Sequence, residues 1–206
     1  MSGSTSSQIF TIGHSDHSIE RFIELLRAHK ISCVADVRSS PFSRFHTQFN
    51  KDELHAALKA ARIAYVPLGD ELGARRSEAE CYVDGKARYE LIAKTAMFQK
   101  GLQRLHQGAI EHRIALMCAE RDPITCHRAI LVCRHLKALG IATSHILPTG
   151  ELESNNRMEQ RLLDATSDDS AALFVADPVA VIEHAYDVQG ERIAYNQRTS
   201  VSEERG

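Results

Sequence analysis

The sequence predicts an α/β fold, a Rossmann-like open parallel sheet with helices on both faces, followed by a short C-terminal extension. Three observations carry this. Short β-branched runs alternate with segments of helical period from residue 9 to 147. The run Ile114-Ala115-Leu116-Met117-Cys118 is continuously apolar, as a strand covered on both faces must be. Ionisable residues recur just after the apolar runs, where a parallel sheet gathers its carboxyl ends.

Taken in order, Ile9 to Ile12 is a buried strand stopped by Gly13. Ser18 caps a helix whose apolar face is Ile19, Phe22, Ile23 and Leu26. Ile31 to Val37 is a second strand, and Ser39 to Phe49, with Pro41, is a loop. Asn50 and Glu53 form a capping box for a helix burying Leu54, Leu58 and Ala61. Ile63 to Leu68 is a third strand, and Gly69 to Lys86, polar and without period, reads as a long loop or lid. Tyr89 to His106 reads as one helix ended near Gly108. After the Ile114 strand, Thr125 is expected to cap a helix burying Ala129, Ile130, Cys133 and Leu136, closed by Gly140. Ser144 to Leu147 is a last strand. Residues 9–150 form the α/β domain by this reading, and residues 151–206 an extension. The extension holds a helix over Met158 to Ala165, another begun by Asp177-Pro178, and a frayed tail from Gln189.

Composition bounds the function. Hydrophobic residues are 43% and charged residues 25% of 206, as in an ordinary globular protein. The formal charge of -2 provides no global positive field for nucleic acid, and the absence of Trp with 6% aromatics argues against a base-stacking platform. Met1 to Gln8 is Ser-rich without a signal-peptide core, and no run approaches the roughly 20 apolar residues of a membrane span. A cytoplasmic location with reduced thiols is therefore expected for the five cysteines. The chain holds no internal repeat, Gly-rich dinucleotide fingerprint or P-loop.

The strand ends deliver the candidate residues. Glu120, Cys126, Cys118 and Asp36 are the candidate catalytic groups; His14, Ser15, Arg38, Arg44, Arg121, His127 and Arg128 are the candidate ligand-binding groups. A cysteine at a helix start, with cationic Arg128 nearby, has the surroundings that favour a thiolate; the alternative is a small buried thiol. Cys118 has the same two readings. Glu120 follows a buried strand and suits a base or a ligand-orienting carboxylate, or else a salt bridge to Arg38 or Arg128. Asp36 either serves the site or holds its turn. The arginines suit a bidentate grip on phosphate or carboxylate. Cys33 and Cys133 read as structural, Cys81 as incidental, and the remaining histidines, His145 among them, as surface residues. No metal is predicted: there is no Cys-x-x-Cys pair, and adjacent Cys126 and His127 are expected to point apart. A tyrosine-phosphatase loop also fails, since the positions six after Cys118 and Cys126 are Ile124 and Val132.

Thr11-Ile12-Gly13-His14-Ser15, Asp36-Val37-Arg38 with Pro41, Ser43 and Arg44, Cys118-Ala119-Glu120, and Cys126-His127-Arg128, in that order, resemble the DUF488 family over about residues 9 to 150. The resemblance implies an α/β domain and no reaction, since the family is one of unknown function. The leading expectation is an enzyme or binding domain for a small phosphorylated or nucleotide-like ligand at the carboxyl edge of the sheet. One alternative is sulfur transfer or redox sensing at Cys126. The other is a non-catalytic nucleic-acid module using Arg75 and Arg76. The sequence does not say which cofactor, if any, the domain takes.

Overall fold

The computed structural model describes residues 8–167 and 177–198. The strands are β1 (Gln8–Gly13), β2 (Cys33–Asp36), β3 (Ala64–Pro67), β4 (Tyr82–Val83), β5 (Lys86–Ala87), β6 (Ile114–Cys118), β7 (Ala142–Ile146) and β8 (Leu152–Ser154). The helices are α1 (Ile19–Ala28), α2 (Lys51–Ala60), α3 (Gly69–Leu72), α4 (Tyr89–Ile92), α5 (Ala96–Glu111), α6 (Arg134–Ala138), α7 (Asn155–Thr166) and α8 (Pro178–Ile193). Six strands form one sheet in the order β3-β2-β6-β1-β7-β8. All neighbours run parallel except β8, which pairs antiparallel with β7. The α/β Rossmann-like expectation is met, and β8 is an edge strand the sequence reading did not anticipate. No helix among the described residues is long and apolar enough to cross a membrane.

Alternation along each strand divides the interior into two cores. Phe10, Ile12, Val34, Ala115 and Met117 face α1 and α2, meeting Phe22, Leu26, Leu54 and Leu58. Ile9, Cys33, Ala35, Ile114, Leu116 and Cys118 face the opposite layer, meeting Leu102 and Leu105 of α5 and Ile130 and Val132. The residues after Gly150 add to this second core through Met158, Leu162, Ala185 and Tyr186. The helix after β2 therefore covers one face, and the helix after β6 covers the other. Because β2 and β6 are adjacent, their carboxyl ends open a crevice between diverging connections, the switch point where open α/β sheets hold ligands.

Several local expectations are corrected. The helix expected from Tyr89 to His106 is two helices. Thr95 breaks it, because its hydroxyl donates to the Ile92 carbonyl at 2.8 Å while accepting from Phe98 N at 3.2 Å, closing α4 and capping α5. Gly108 lies inside α5 rather than at its end. Asn50 makes no side-chain cap; its Oδ1 accepts from Ser43 N at 2.7 Å and ties down the preceding loop. The expected lid over Gly69 to Lys86 contains α3 and the β4–β5 hairpin, whose turn uses Gly85 at φ 84°. Cys81 is part of the core. Gln189, expected to begin a frayed tail, is buried in α8 and donates to the Ile124 carbonyl at 2.7 Å. Beyond it, Ala87 N donates to Tyr195 O and Gln197 N to Gly85 O, so the chain returns to the hairpin. Residues 1–7 and 199–206, which hold the Ser-rich start and the end of the expected tail, lie outside the described residues.

His145, expected at the surface, is fully buried opposite Thr11 in the β1–β7 ladder. Its ring lies 2.9 Å from Thr11 Oγ1 and 3.3 Å from Asn155 Oδ1. Burial, helped by the charge of Arg128, lowers its pKa to about 3. The unfolded chain takes up this proton below the ordinary histidine value of about 6.5, whereas the folded chain refuses it until about pH 3. The stability from a neutral His145 is thus complete above about pH 6.5 and is lost as the pH falls. Urea unfolding at pH 7 and at about pH 5 is expected to show roughly 2 kcal/mol more acid destabilisation in the native chain than in His145→Gln. Equal pH dependence in the two proteins would show that His145 is not held neutral.

Candidate functional site

The strand ends at the crevice are tied together by backbone bonds that extend the sheet. His14 N and Ser15 N donate to the Cys118 and Ala119 carbonyls, each at 2.9 Å, and Val37 N donates to Met117 O at 3.1 Å. This places His14, Arg38, Cys118 and Glu120 side by side although they leave three different strands. Gly13 is required at this junction, because a Cβ there would run into the Glu120 carbonyl. The resulting cleft has a volume of about 380 Å³, and His14, Arg38, Cys118, Glu120 and His127 line it.

Below and beside the floor lies a compact cluster. Cys118, Glu120, Cys126 and His127 place one sulfur, nitrogen or oxygen each within 4.8 Å of one another. The Cys126 thiol reaches Glu120 Oε2 at 2.9 Å, while Cys118 Sγ and Cys126 Sγ lie 3.7 and 4.0 Å from His127 Nδ1. His127 Nε2 is 3.0 Å from the Val37 carbonyl, an acceptor only, so Nε2 carries a proton and Nδ1 faces the sulfurs. The expectation that Cys126 and His127 point apart is wrong. The backbone is extended at Cys126 (φ -131°, ψ 136°) and turns helical at His127 (φ -58°, ψ -25°), which brings both side chains to the same side.

Thr125 is not the helix cap. Asp122 caps a 3-10 turn over Pro123–Thr125 through Ile124 N at 3.1 Å. The following helix starts from Cys126, whose carbonyl accepts from Ala129 N and Ile130 N and whose sulfur accepts from Arg128 N at 3.4 Å. The helix opens with a π-helical stretch over Arg128–Cys133, every residue of it buried; such wide turns collect at functional sites.

Arg128 is fully buried. It donates to the Glu120 carbonyl at 2.7 Å, the Arg121 carbonyl at 3.2 Å and Thr11 Oγ1 at 3.4 Å. Burial opposes ionisation of Cys126, but the Cys118 thiol bonded to it and the charges of Arg128 and His127 outweigh that and hold its pKa well below the ordinary thiol value. The same contact with Cys126, with burial, pushes Cys118 well up. Burial and the neighbouring Cys126 sulfur raise Glu120. His127 is disfavoured as a cation by burial, yet its bond to Cys126 prevails and raises it. The electrostatics thus favour negative charge on Cys126, with protons on the groups around it.

Asp36 and Arg38 form a buried pair. The guanidinium donates through Nε at 2.9 Å and Nη2 at 2.6 Å to the two carboxylate oxygens, and the Tyr65 hydroxyl donates to Oδ2 at 2.9 Å. Arg38 Nη1 lies 3.3 Å from His14 Nε2, whose other nitrogen donates to the Ser15 carbonyl at 2.9 Å. Burial, more than the nearby Arg38 charge, lowers the His14 pKa to about 4, so it is neutral near pH 7. His14 also stacks on Phe49 with ring centroids 4.3 Å apart.

The other expected ligand contacts are not gathered here. Arg44 is exposed and does not line the cleft. Arg121 is exposed and pairs with Asp16 at 2.7 Å, beside Ser15. Arg76 is buried against Glu78 and the Asp70 and Glu71 carbonyls, which removes it from any nucleic-acid surface. Conversely, Phe42, Tyr89 and Tyr195 line the cleft without having been foreseen, and Arg75, expected only as a nucleic-acid contact, lines it with them. Arg75 lies 4.6 Å over the Tyr195 ring, and Phe42 is 69% exposed at the mouth. A larger cleft of about 750 Å³ lies between Tyr89 and α8, but its Arg88 and Arg134 are paired with Glu90, Glu191, Glu183 and Asp187.

Removing the Asp36 carboxylate strands a buried guanidinium. Asp36→Ala is expected to cost about 3–5 kcal/mol in urea unfolding, and Asp36→Asn less, because the amide keeps one acceptor. A loss below about 1 kcal/mol for Asp36→Ala would show that Arg38 finds another partner.

Comparison with known proteins bears on identity only at the family level. No curated protein and no solved structure matches the chain. The family model described as Domain of unknown function DUF488 matches residues 18–135. That span contains Asp36, Arg38, Cys118, Glu120, Cys126, His127 and Arg128, and leaves His14 and Ser15 just outside. Covering more than half of the 206 residues, the match establishes that this chain belongs to the DUF488 family.

Proposed function

We propose that this protein is an enzyme that binds a small phosphorylated or nucleotide-like molecule in the crevice between β1, β2 and β6. The carrying observation is that His14, Arg38, Cys118, Glu120 and His127, from three strand ends and a helix start, line one cleft of about 380 Å³. Packing alone does not call for five such groups around an open space, and sites with perturbed acids and bases in a cleft are where chemistry concentrates. Glu120, raised by burial and by the Cys126 sulfur, suits proton exchange with a ligand.

The mouth supports the ligand class. Arg38 is neutralised by Asp36, and Arg128 lies buried behind the floor. Arg75 is the lining guanidinium with no carboxylate partner among the described residues, so it is the group offered to an incoming anion. Exposed Phe42 offers an aromatic face for a flat ring. Thiol chemistry at Cys126 fits the surrounding charge but not the access, since Cys126 is 1% exposed and lies beneath the lining.

Thermal-shift and calorimetric titration with nucleoside phosphates, sugar phosphates and the matching unphosphorylated compounds tests this. Phosphorylated members are expected to raise the melting temperature, and Arg75→Ala to weaken their binding about 10- to 100-fold, the range for losing a charge-assisted contact. If no phosphorylated compound binds, or Arg75→Ala binds them as well as the native chain does, the reading is wrong.

A further inference from the structure

We propose that Cys118, Glu120, Cys126 and His127 form a binding site for a thiophilic divalent cation, with Zn²⁺ as its natural occupant. This goes beyond the ligand reading above and stands on the geometry of the cluster alone. The four donor atoms lie within 4.8 Å of one another. Zinc bonds of about 2.3 Å to sulfur and about 2.0–2.1 Å to nitrogen or oxygen put the corners of a tetrahedron about 3.3–3.8 Å apart. The Cys118 Sγ to His127 Nδ1 distance, 3.7 Å, already has that size, and the Cys126 Sγ to His127 Nδ1 distance, 4.0 Å, has to close by a few tenths of an ångström. The Cys126 Sγ to Glu120 Oε2 edge, 2.9 Å, needs to open, and Glu120, part-buried at that contact, lines the open cleft, which leaves it room to move.

The surroundings are those of a prepared site. His127 holds Nε2 against the Val37 carbonyl at 3.0 Å, which presents Nδ1 to the sulfurs as a ligand nitrogen. The Cys126 sulfur accepts from Arg128 N at 3.4 Å. Charge closes as well. Two thiolates and a carboxylate carry three negative charges, the cation two positive, and the buried Arg128 guanidinium one. Arg128 is fully buried and has no carboxylate side chain hydrogen-bonded to it among the described residues, and Cys126, Cys118 and Glu120 are groups whose negative charge favours its ionised form. Cation binding releases the remaining thiol protons to solvent and changes no oxidation state. The site opens to the cleft through Cys118, Glu120 and His127. If a ligand oxygen displaces the Glu120 carboxylate, the cation faces the ligand as a Lewis acid.

The test uses the full chain purified under reducing conditions without chelator. Metal analysis is expected to find one zinc per chain, and chelator-treated protein to take up Co²⁺ with the near-ultraviolet thiolate-to-cobalt band and the visible absorption of a tetrahedral site. Cys126→Ser and His127→Gln are expected to lose at least about 100-fold in zinc affinity, judged against the 10- to 100-fold typical of removing a mere supporting group; Cys33→Ala, outside the cluster, keeps it. The cobalt spectrum needs no variant, so a folding defect in one does not blunt the test. Reduced chain that takes up neither ion, cobalt bound without a thiolate band, or zinc binding unchanged in Cys126→Ser overturns the site. Phosphorylated ligands that bind zinc-free protein while zinc does not bind leave the proposed function standing and sink the metal site; the reverse result does the opposite.

Discussion

Arg128 is a guanidinium enclosed by protein, and where its five N–H groups go decides the shape of everything around it. Burying a cation costs several kcal/mol unless polar groups close around it. Here the carbonyls of Glu120 and Arg121 and the hydroxyl of Thr11 do so, at 2.7, 3.2 and 3.4 Å. Those contacts fix the loop after β6 to the end of β1 and to the helix that carries Arg128. Glu120 and Cys126 meet at 2.9 Å because both ends of that loop are held by one side chain. The bare backbone of Gly13 serves the same junction, since it lets β1 approach the Glu120 carbonyl that Arg128 also grips.

The influence of the guanidinium extends through the sheet. Thr11 passes from Arg128 to His145, and His145 to Asn155 of α7. Asn155 donates to Glu159, which also accepts from Lys137 and the Tyr186 hydroxyl. A positive charge under the floor therefore helps to keep His145 neutral two strands away. The polar network binds the helices after Gly150 to the layer that contains the cluster. That same part of the chain brings Ile193 and Tyr195 to the cleft, so it helps shape the ligand space as well as the core.

Much of this arrangement was legible in the sequence because parallel strands impose a rule that needs no coordinates: the residues at the carboxyl ends of all the strands lie on one edge of the sheet. Cys118, Glu120, Cys126, His127 and Arg128 end or come after the apolar run at Ile114–Cys118, and the structure gathers them. The rule places backbones and not the tips of long side chains. It is silent on Arg121, which reaches out to Asp16, and on Arg44, which stays exposed. It is silent also on Tyr195, brought to the cleft by pairing between the β4–β5 hairpin and a segment over a hundred residues later, and on Arg75, whose backbone N–H donates to Ser39 Oγ at 2.9 Å. The split at Thr95 and the π-helical stretch depend on tertiary packing that overrides helical period. His145 did carry a signal. A polar residue in a strand that crosses beneath other helices has to find an internal partner, and Thr11 stands opposite it in register.

The cluster holds more potential negative charge than its cations can match in a dry setting. With Cys118, Cys126 and Glu120 all ionised, Arg128 and a protonated His127 still leave one charge uncompensated, and His127 then has no lone pair facing the sulfurs. Without a further cation the protein must keep protons among these groups. That is the pattern in which Cys126 is pushed down while Cys118 and Glu120 are pushed up. Such sharing suits a site that handles protons, and it equally marks a set of ligands whose protons a divalent ion would replace. Both uses require the cluster to touch the ligand space, and it does so through Cys118, Glu120 and His127 while Cys126 and Arg128 stay beneath. The depth of Cys126 is thus the feature that separates the possible chemistries. A sulfur sealed under the floor is poorly placed to attack a substrate and well placed to hold charge for the groups that do meet one.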